Sequence, residues 1–214
     1  MENVAAITFD VGGTLIEPWP SVGHVYAAVA ARHGVRAEPE ELTHRFVDAW
    51  NRKENFSYSQ DDWAGLVDAT FAGLTTTLPS QSFFDELYYD FGTPKPWRIF
   101  DDVLPTIAAL RERGTRLAVI SNWDDRLCPL LESLELANEF EVILVSAVVR
   151  FVFVPVNNSI RLHRHSQCPK PLHLSLSIPP PGLRASLEIG TILPDPPHVS
   201  PSNTRHSLQC LLQE

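Results

Sequence analysis

The stretch Ile7-Thr8-Phe9-Asp10-Val11-Gly12-Gly13-Thr14 puts a single carboxylate at the end of an apolar run and directly before two glycines. A carboxylate there can cap a turn, or it can act as a nucleophile that forms a covalent aspartyl intermediate. The glycines favour the second use. Without a Cβ the backbone can approach a ligand closely and turn N–H groups toward an anion. Thr14 adds a hydroxyl. Far along the chain, Leu117-Ala118-Val119-Ile120 is another apolar run, and it too ends in polar residues, Ser121-Asn122. A hydroxyl at that point can cap the next helix or complete an anion site at the helix N-terminus. A carboxylate attacking a phosphate usually needs a cation. Mg²⁺ suits, since it binds through one or two carboxylates plus substrate oxygens.

These groups work together only if both runs are strands that end side by side. Val4 to Phe9 and Leu117 to Ile120 are short, apolar and β-branched, as buried strands are, and Phe140 to Val145 is a third such run. Between the first two lie helix signals: Val22 to His33 with Gly34 as a stop, an opening at Pro39-Glu40-Glu41, another at Asp61-Asp62 running toward Leu78, and SQSFFDELYYDF after Pro79-Ser80, stopped by Gly92. Val103 to Arg113 and a helix through Leu134, capped by Asp124 or Asp125, complete the pattern. The layout is α/β: β-α-β units of a parallel sheet, with a four-helix block inserted after the first strand. In open parallel sheets ligands sit at the carboxyl ends of the strands, so Asp10 and Ser121 are expected to face one crevice.

The chain of 214 residues carries a formal net charge of -9, which argues against a nucleic-acid binder held by phosphate contacts. Its most apolar segment, Val142 to Val156, is shorter than the roughly 20 residues of a membrane helix and contains Arg150, so it reads as strand material. The N-terminus lacks the basic region of a secretory signal. The three cysteines, Cys128, Cys168 and Cys210, form no CxxC pair, and a cytoplasmic location is expected. Composition changes near residue 150: residues 1–150 hold 23 acidic and 12 basic side chains, whereas 151–214 hold 3 and 5, with 10 of the 18 prolines. A Pro-rich tail of that kind is expected to be largely irregular.

FDVGGTL, a helical insertion and LAVISNWDDRL together resemble the haloacid dehalogenase superfamily of hydrolases, in particular members with a helical cap after the first motif. The resemblance spans roughly residues 4–150. It implies a Rossmann-like core at 1–19 and 96–150, a cap at 20–95, and a divergent tail at 151–214. It also implies roles: Asp10 as nucleophile and metal ligand, the Gly12 backbone carbonyl as a second metal ligand, and Gly13, Thr14, Ser121 and Asn122 as the binding site of the transferred group. The cofactor implied is Mg²⁺, and the substrate a small phosphorylated metabolite or other small anion, with no nucleic acid or membrane as partner.

The sequence departs from the family pattern in two places. Gly12 stands where phosphatases of the family carry an aspartate that protonates the leaving group; losing such a group costs on the order of 10²- to 10⁴-fold. Haloacid dehalogenases lack that aspartate, which makes dehalogenation the rival activity, but the early-cap arginine they use has no nearer counterpart than Arg32. The family's third and fourth motifs, a Lys or Arg after the third strand and then an acidic pair, are also missing. Arg150 is the one nearby cation, Lys170-Pro171 lies far along, no Gly-Asp dipeptide occurs, and Glu188, Asp195 and Glu214 are the only later acids. Impaired activity is therefore expected. A non-catalytic chain, its tail drawn from a shifted reading frame or another exon, is the alternative outside enzymology.

Overall fold

The computed structural model describes the fold of residues 6–149, 151–156, 159–164, 174–177 and 190–191, and the side-chain surroundings of residues 6–148. Strand β1 (Ala6–Phe9) pairs in parallel with β4 (Arg116–Ser121), and β4 pairs in parallel with β5 (Val142–Val145), so the sheet order is β1-β4-β5. The register places Phe9 beside Val119 and Ser121 beside Val145. β4 is the central strand and is buried from Leu117 to Ser121, as a near-continuous apolar run predicts for a strand covered on both faces. Helices α5 (Val103–Glu112) and α6 (Leu127–Ser133) cover it, and Ile107, Leu110, Leu127, Leu130 and Leu131 join Val11, Leu15, Leu117 and Val119 in one apolar cluster.

The segment between β1 and α5 builds a second, separate cluster. Helices α1 (Val22–Arg32), α2 (Pro39–Arg52), α3 (Gln60–Thr70) and α4 (Phe84–Phe91) enclose Tyr26, Val29, Leu42, Val67, Phe71, Phe83 and Leu87. The local signals are those the sequence advertises. The Ser21 side chain accepts from the His24 N–H at the start of α1, Pro39 opens α2, and Ser59 accepts from the Asp62 N–H at the start of α3. Gly23 lets α1 and α2 touch: a Cβ there would come within 1.9 Å of the Pro39 carbonyl oxygen. The third helix ends at Thr70, short of Leu78, and the segment after Leu78 begins with a 3-10 turn at Pro79–Gln81 before α4.

One feature is absent from the sequence reading. Strands β2 (Ile16–Pro18) and β3 (Trp97–Ile99) form an antiparallel pair at the two points where the chain leaves and re-enters the sheet half. Three residues each, with a proline in one, carry too little periodicity to be seen. Arg98 on β3 reaches back to Glu17 on β2 and lies 3.5 Å over the Trp19 ring.

The apolar segment Val142 to Val156 is not one strand. It divides into β5, a helical turn α7 (Ser146–Val149) and β6 (Phe151–Val156). The break falls at Ser146, whose hydroxyl accepts from the Trp123 N–H at 3.1 Å and donates to the Trp123 carbonyl at 3.0 Å. β6, β7 (Ser159–Arg164), β8 (Leu174–Ser177) and β9 (Gly190–Thr191) pair antiparallel in chain order. The rest of the tail, with Cys168, Lys170, Glu188, Asp195, Cys210 and Glu214, lies outside the described residues, as does Arg150.

Candidate active site

Because β1 and β4 are parallel neighbours, their carboxyl ends lie side by side, and Ser121 Oγ donates to Asp10 Oδ1 at 2.7 Å. Ser121 is 2% exposed, whereas Asp10 is exposed. After Asp10 the chain reverses in a tight loop. Gly13 has φ of 76°, a left-handed value that glycine accepts without strain. Its N–H donates to the Ile16 carbonyl at 2.8 Å, and the Thr14 N–H donates to the Val11 carbonyl at 3.1 Å. These two amides hold the turn; they are not turned toward an anion.

Above Asp10 lies a cavity of about 500 Å³ between the sheet half and the helical block. Asp10, Gly12, Ser121 and Asn122 line it; Gly13 and Thr14 do not. Most of the remaining wall is aromatic: Tyr26, Phe46, Trp50, Tyr58, Trp63, Phe84, Tyr88, Phe91, Trp97 and Trp123. Trp50, Phe56, Tyr58 and Trp63, which by residue type belong to a core, form a cluster with ring centroids 5.0–6.4 Å apart. Three of the four turn to the cavity.

Three further groups shape this site. Trp123 is the first. Its backbone is pinned by Ser146, and its ring lies so close to Gly12 that a Cβ on Gly12 would come within 3.1 Å of it. A side chain at residue 12 would therefore press on the indole from its first carbon. The second group is the pair Asp124 and Arg126. Arg126 Nε and Nη2 donate to the two carboxylate oxygens of Asp124 at 2.8 and 2.6 Å, and the Arg126 N–H adds a bond of 3.0 Å. Arg126 also lies 3.4 Å over the Tyr88 ring and donates to the Tyr88 carbonyl, while Trp63 Nε1 donates to Asp124 Oδ2 at 2.8 Å. The pair therefore ties the loop after β4 to both α3 and α4. The signal was available in Trp123-Asp124-Asp125-Arg126, which directly follows Ser121-Asn122, but a cap residue and a cation in a helix start look ordinary.

Tyr58 is the third. It has φ of 63°, a strained value for a bulky side chain. Asp62 holds the strain: the Ser57 N–H and hydroxyl both donate to Asp62 Oδ2, the former at 2.7 Å. The Tyr58 phenol is pushed up to about 12, first by burial and then by the negative charge of Asp10. Arg32, the candidate dehalogenase arginine, is remote from this cavity. It pairs with Glu86 and Asp90 on the outer face of the helical block.

An α/β core whose parallel strands end at a cavity is the architecture of a ligand-binding α/β protein. A model of the haloacid dehalogenase-like hydrolases matches residues 4–159, and the chain belongs to that family. The chain is 34% identical over 156 residues to haloacid dehalogenase-like hydrolase domain-containing protein 3 of Homo sapiens, covering 67% of this chain and 62% of that protein. For the Mus musculus protein of the same name the identity is 34% over 154 residues, with 67% and 61% covered. The chain thus spans less than two thirds of the length of these relatives. The L-2-haloacid dehalogenase from Xanthobacter autotrophicus has a similar fold, with a TM-score of 0.53 and 19% identity over 69% of this chain and 58% of that one.

Proposed function

We propose that the chain acts as a phosphatase-type hydrolase through an aspartyl intermediate at Asp10, with lowered activity toward ordinary esters, and that the helical block at 20–95 is its cap. The observation that carries this reading is the Ser121–Asp10 contact at the floor of the cavity. Ser121 ties down Asp10 Oδ1 and leaves Oδ2 as the attacking oxygen. As the new Oδ2–P bond forms, the bond from phosphorus to the leaving oxygen breaks. Water then releases phosphate and regenerates the carboxylate. The cap side would exclude bulk water during these steps. Gly12 offers no proton to the departing oxygen, which must take one from solvent.

The Mg²⁺ ion that family membership implies would meet one carboxylate, Asp10, and the Gly12 carbonyl. Among the described residues no group of three His, Cys, Asp or Glu side chains gathers to hold a metal ion. These donors alone make a poor cage, and no step above runs through the ion. Dehalogenation, with Gly12 in its favour, is weakened by the position of Arg32 on the outer face. No helix among the described residues is long and apolar enough to cross a membrane, and a small anionic substrate is the partner proposed.

Phosphate esters and 2-haloacids assayed in parallel, with and without Mg²⁺, test the reading. Release of phosphate that disappears in Asp10→Asn is the expected result. Halide release without phosphate release favours dehalogenation, and neither product from a folded chain favours a non-catalytic role.

A further inference from the structure

We propose that the site takes a phosphate monoester of a phenol, with the aromatic ring held by the cavity walls, in preference to an alkyl phosphate. The proposal rests on the phosphatase reading and narrows it, and two independent observations lead to it.

The first is the chemistry of departure. Gly12, two residues after Asp10, brings no acid to the departing oxygen, and the Trp123 ring lies 3.1 Å from where a Cβ at that position would sit. An alkoxide leaves badly without a proton donor, since its conjugate acid is very weak. A phenolate, whose conjugate acid has a pKa near 10, departs far more readily unassisted. In that step Asp10 Oδ2 bonds to phosphorus, the aryl-oxygen bond to phosphorus breaks with its electron pair on the oxygen, and the aryloxide takes a proton from solvent. Water then adds to the intermediate, giving inorganic phosphate and free Asp10.

The second is the wall. Trp50, Tyr58, Trp63, Tyr88, Trp97 and Trp123 all face the cavity that holds Asp10. Rings prefer ring partners, stacked with an offset or edge to face, over aliphatic chains of equal area. An organic cation would also suit an aromatic wall, but a cation is already resident there: Arg126 lines the cavity and lies 3.4 Å over Tyr88. Asp124, the buried carboxylate beside the cavity, is spent on Arg126. A neutral ring meets no such repulsion. Tyr58 is the wall residue placed with most strain, at φ of 63°, and the negative charge of Asp10 reaches its phenol.

Calorimetry on the full chain with Mg²⁺ present tests this without requiring turnover. The probes are 1-naphthyl phosphate, butyl phosphate, phosphocholine and 1-naphthol. The expected result is that naphthyl phosphate binds about tenfold more tightly than butyl phosphate. Trp123→Leu and Tyr58→Gly should each reduce that margin. Glycine accepts the left-handed backbone at residue 58, so Tyr58→Gly keeps the test open if Trp123→Leu does not fold. Equal binding of naphthyl and butyl phosphate overturns the aromatic proposal and leaves the phosphatase reading standing. Equal binding of naphthol and naphthyl phosphate keeps the ring site and sinks the phosphatase reading. Tighter binding of phosphocholine overturns the proposal in favour of an organic cation, and no binding by any probe overturns it outright.

Discussion

The two sides of the cavity are finished to different degrees. On the helical side polar groups are tied together: Trp63 donates to Asp124, which also meets Arg126 of the loop after β4, Asp62 holds Ser57 and Ser59, and Trp50, Phe56, Tyr58 and Trp63 contact one another. On the sheet side Asp10 is exposed, at the end of a strand that has β4 as its one neighbour in the sheet among the described residues, and Ser121 is the side chain that meets it there. The difference follows from contact range. The helical wall is assembled from residues of one continuous block plus the loop after β4. The Asp10–Ser121 contact on the sheet side instead joins residues 111 positions apart in the sequence.

Substitutions on both sides would break or sharpen that contrast. The largest effect is expected on the finished side. Asp124→Ala leaves the Arg126 guanidinium, 17% exposed, without its carboxylate and should cost about 3–5 kcal/mol in chemical denaturation. Ser121→Ala, its counterpart on the sheet side, should cost about 1 kcal/mol because Asp10 is exposed and water can replace the lost bond. If the two costs are equal, the contrast between the sides is wrong.

Gly12→Asp comes next. The new side chain presses on the Trp123 ring, so the variant should lose about 1–3 kcal/mol and gain no release of phosphate. Adding Trp123→Ser should recover part of that stability, a coupling that a double-mutant cycle reads directly. A rise in phosphate release from Gly12→Asp alone would show that the indole leaves room for an acid there.

The smallest effect concerns Asp62. Burial pulls its carboxyl upward, but the hydrogen bonds from Ser57 and Ser59 outweigh it and hold the group below the ordinary 3.8. A lowered carboxylate contributes stability that is fully present above its unfolded pKa and lost as pH falls through the folded value. Asp62→Asn should therefore lower Tm by an amount corresponding to about 1 kcal/mol at neutral pH, and the gap should close below about pH 3.8. A gap independent of pH would mean that Asp62 acts through packing alone.

The sequence made the parallel sheet, the helical insertion and the Asp10–Ser121 meeting legible, because apolar strand runs and cap residues are local signals. The β2–β3 pair was not legible, since three-residue strands separated by the whole helical block carry no pattern. Arg126 was missed for a related reason: an arginine at a helix start looks solvated until the fold brings Tyr88 against it and Trp63 against its partner Asp124. Aromatic side chains such as Trp50 and Tyr58 carry no sequence signal that separates a core from a cavity wall, and the shape of the cavity shows that they face a space. The amides of Gly13 and Thr14 carry the same lesson, because composition can propose an anion cradle but the turn consumes its donors.

The antiparallel β2–β3 pair has a mechanical consequence. Two separate linkers would let the helical block twist and slide over the sheet half. Joined side by side, with Ile16 opposite Ile99 and Pro18 opposite Trp97, they form a ribbon. A ribbon resists shear along its length and yields most easily by flexing across its width. Because Trp97 belongs to this ribbon and also lines the cavity, the connection between the two halves is itself part of the cavity wall.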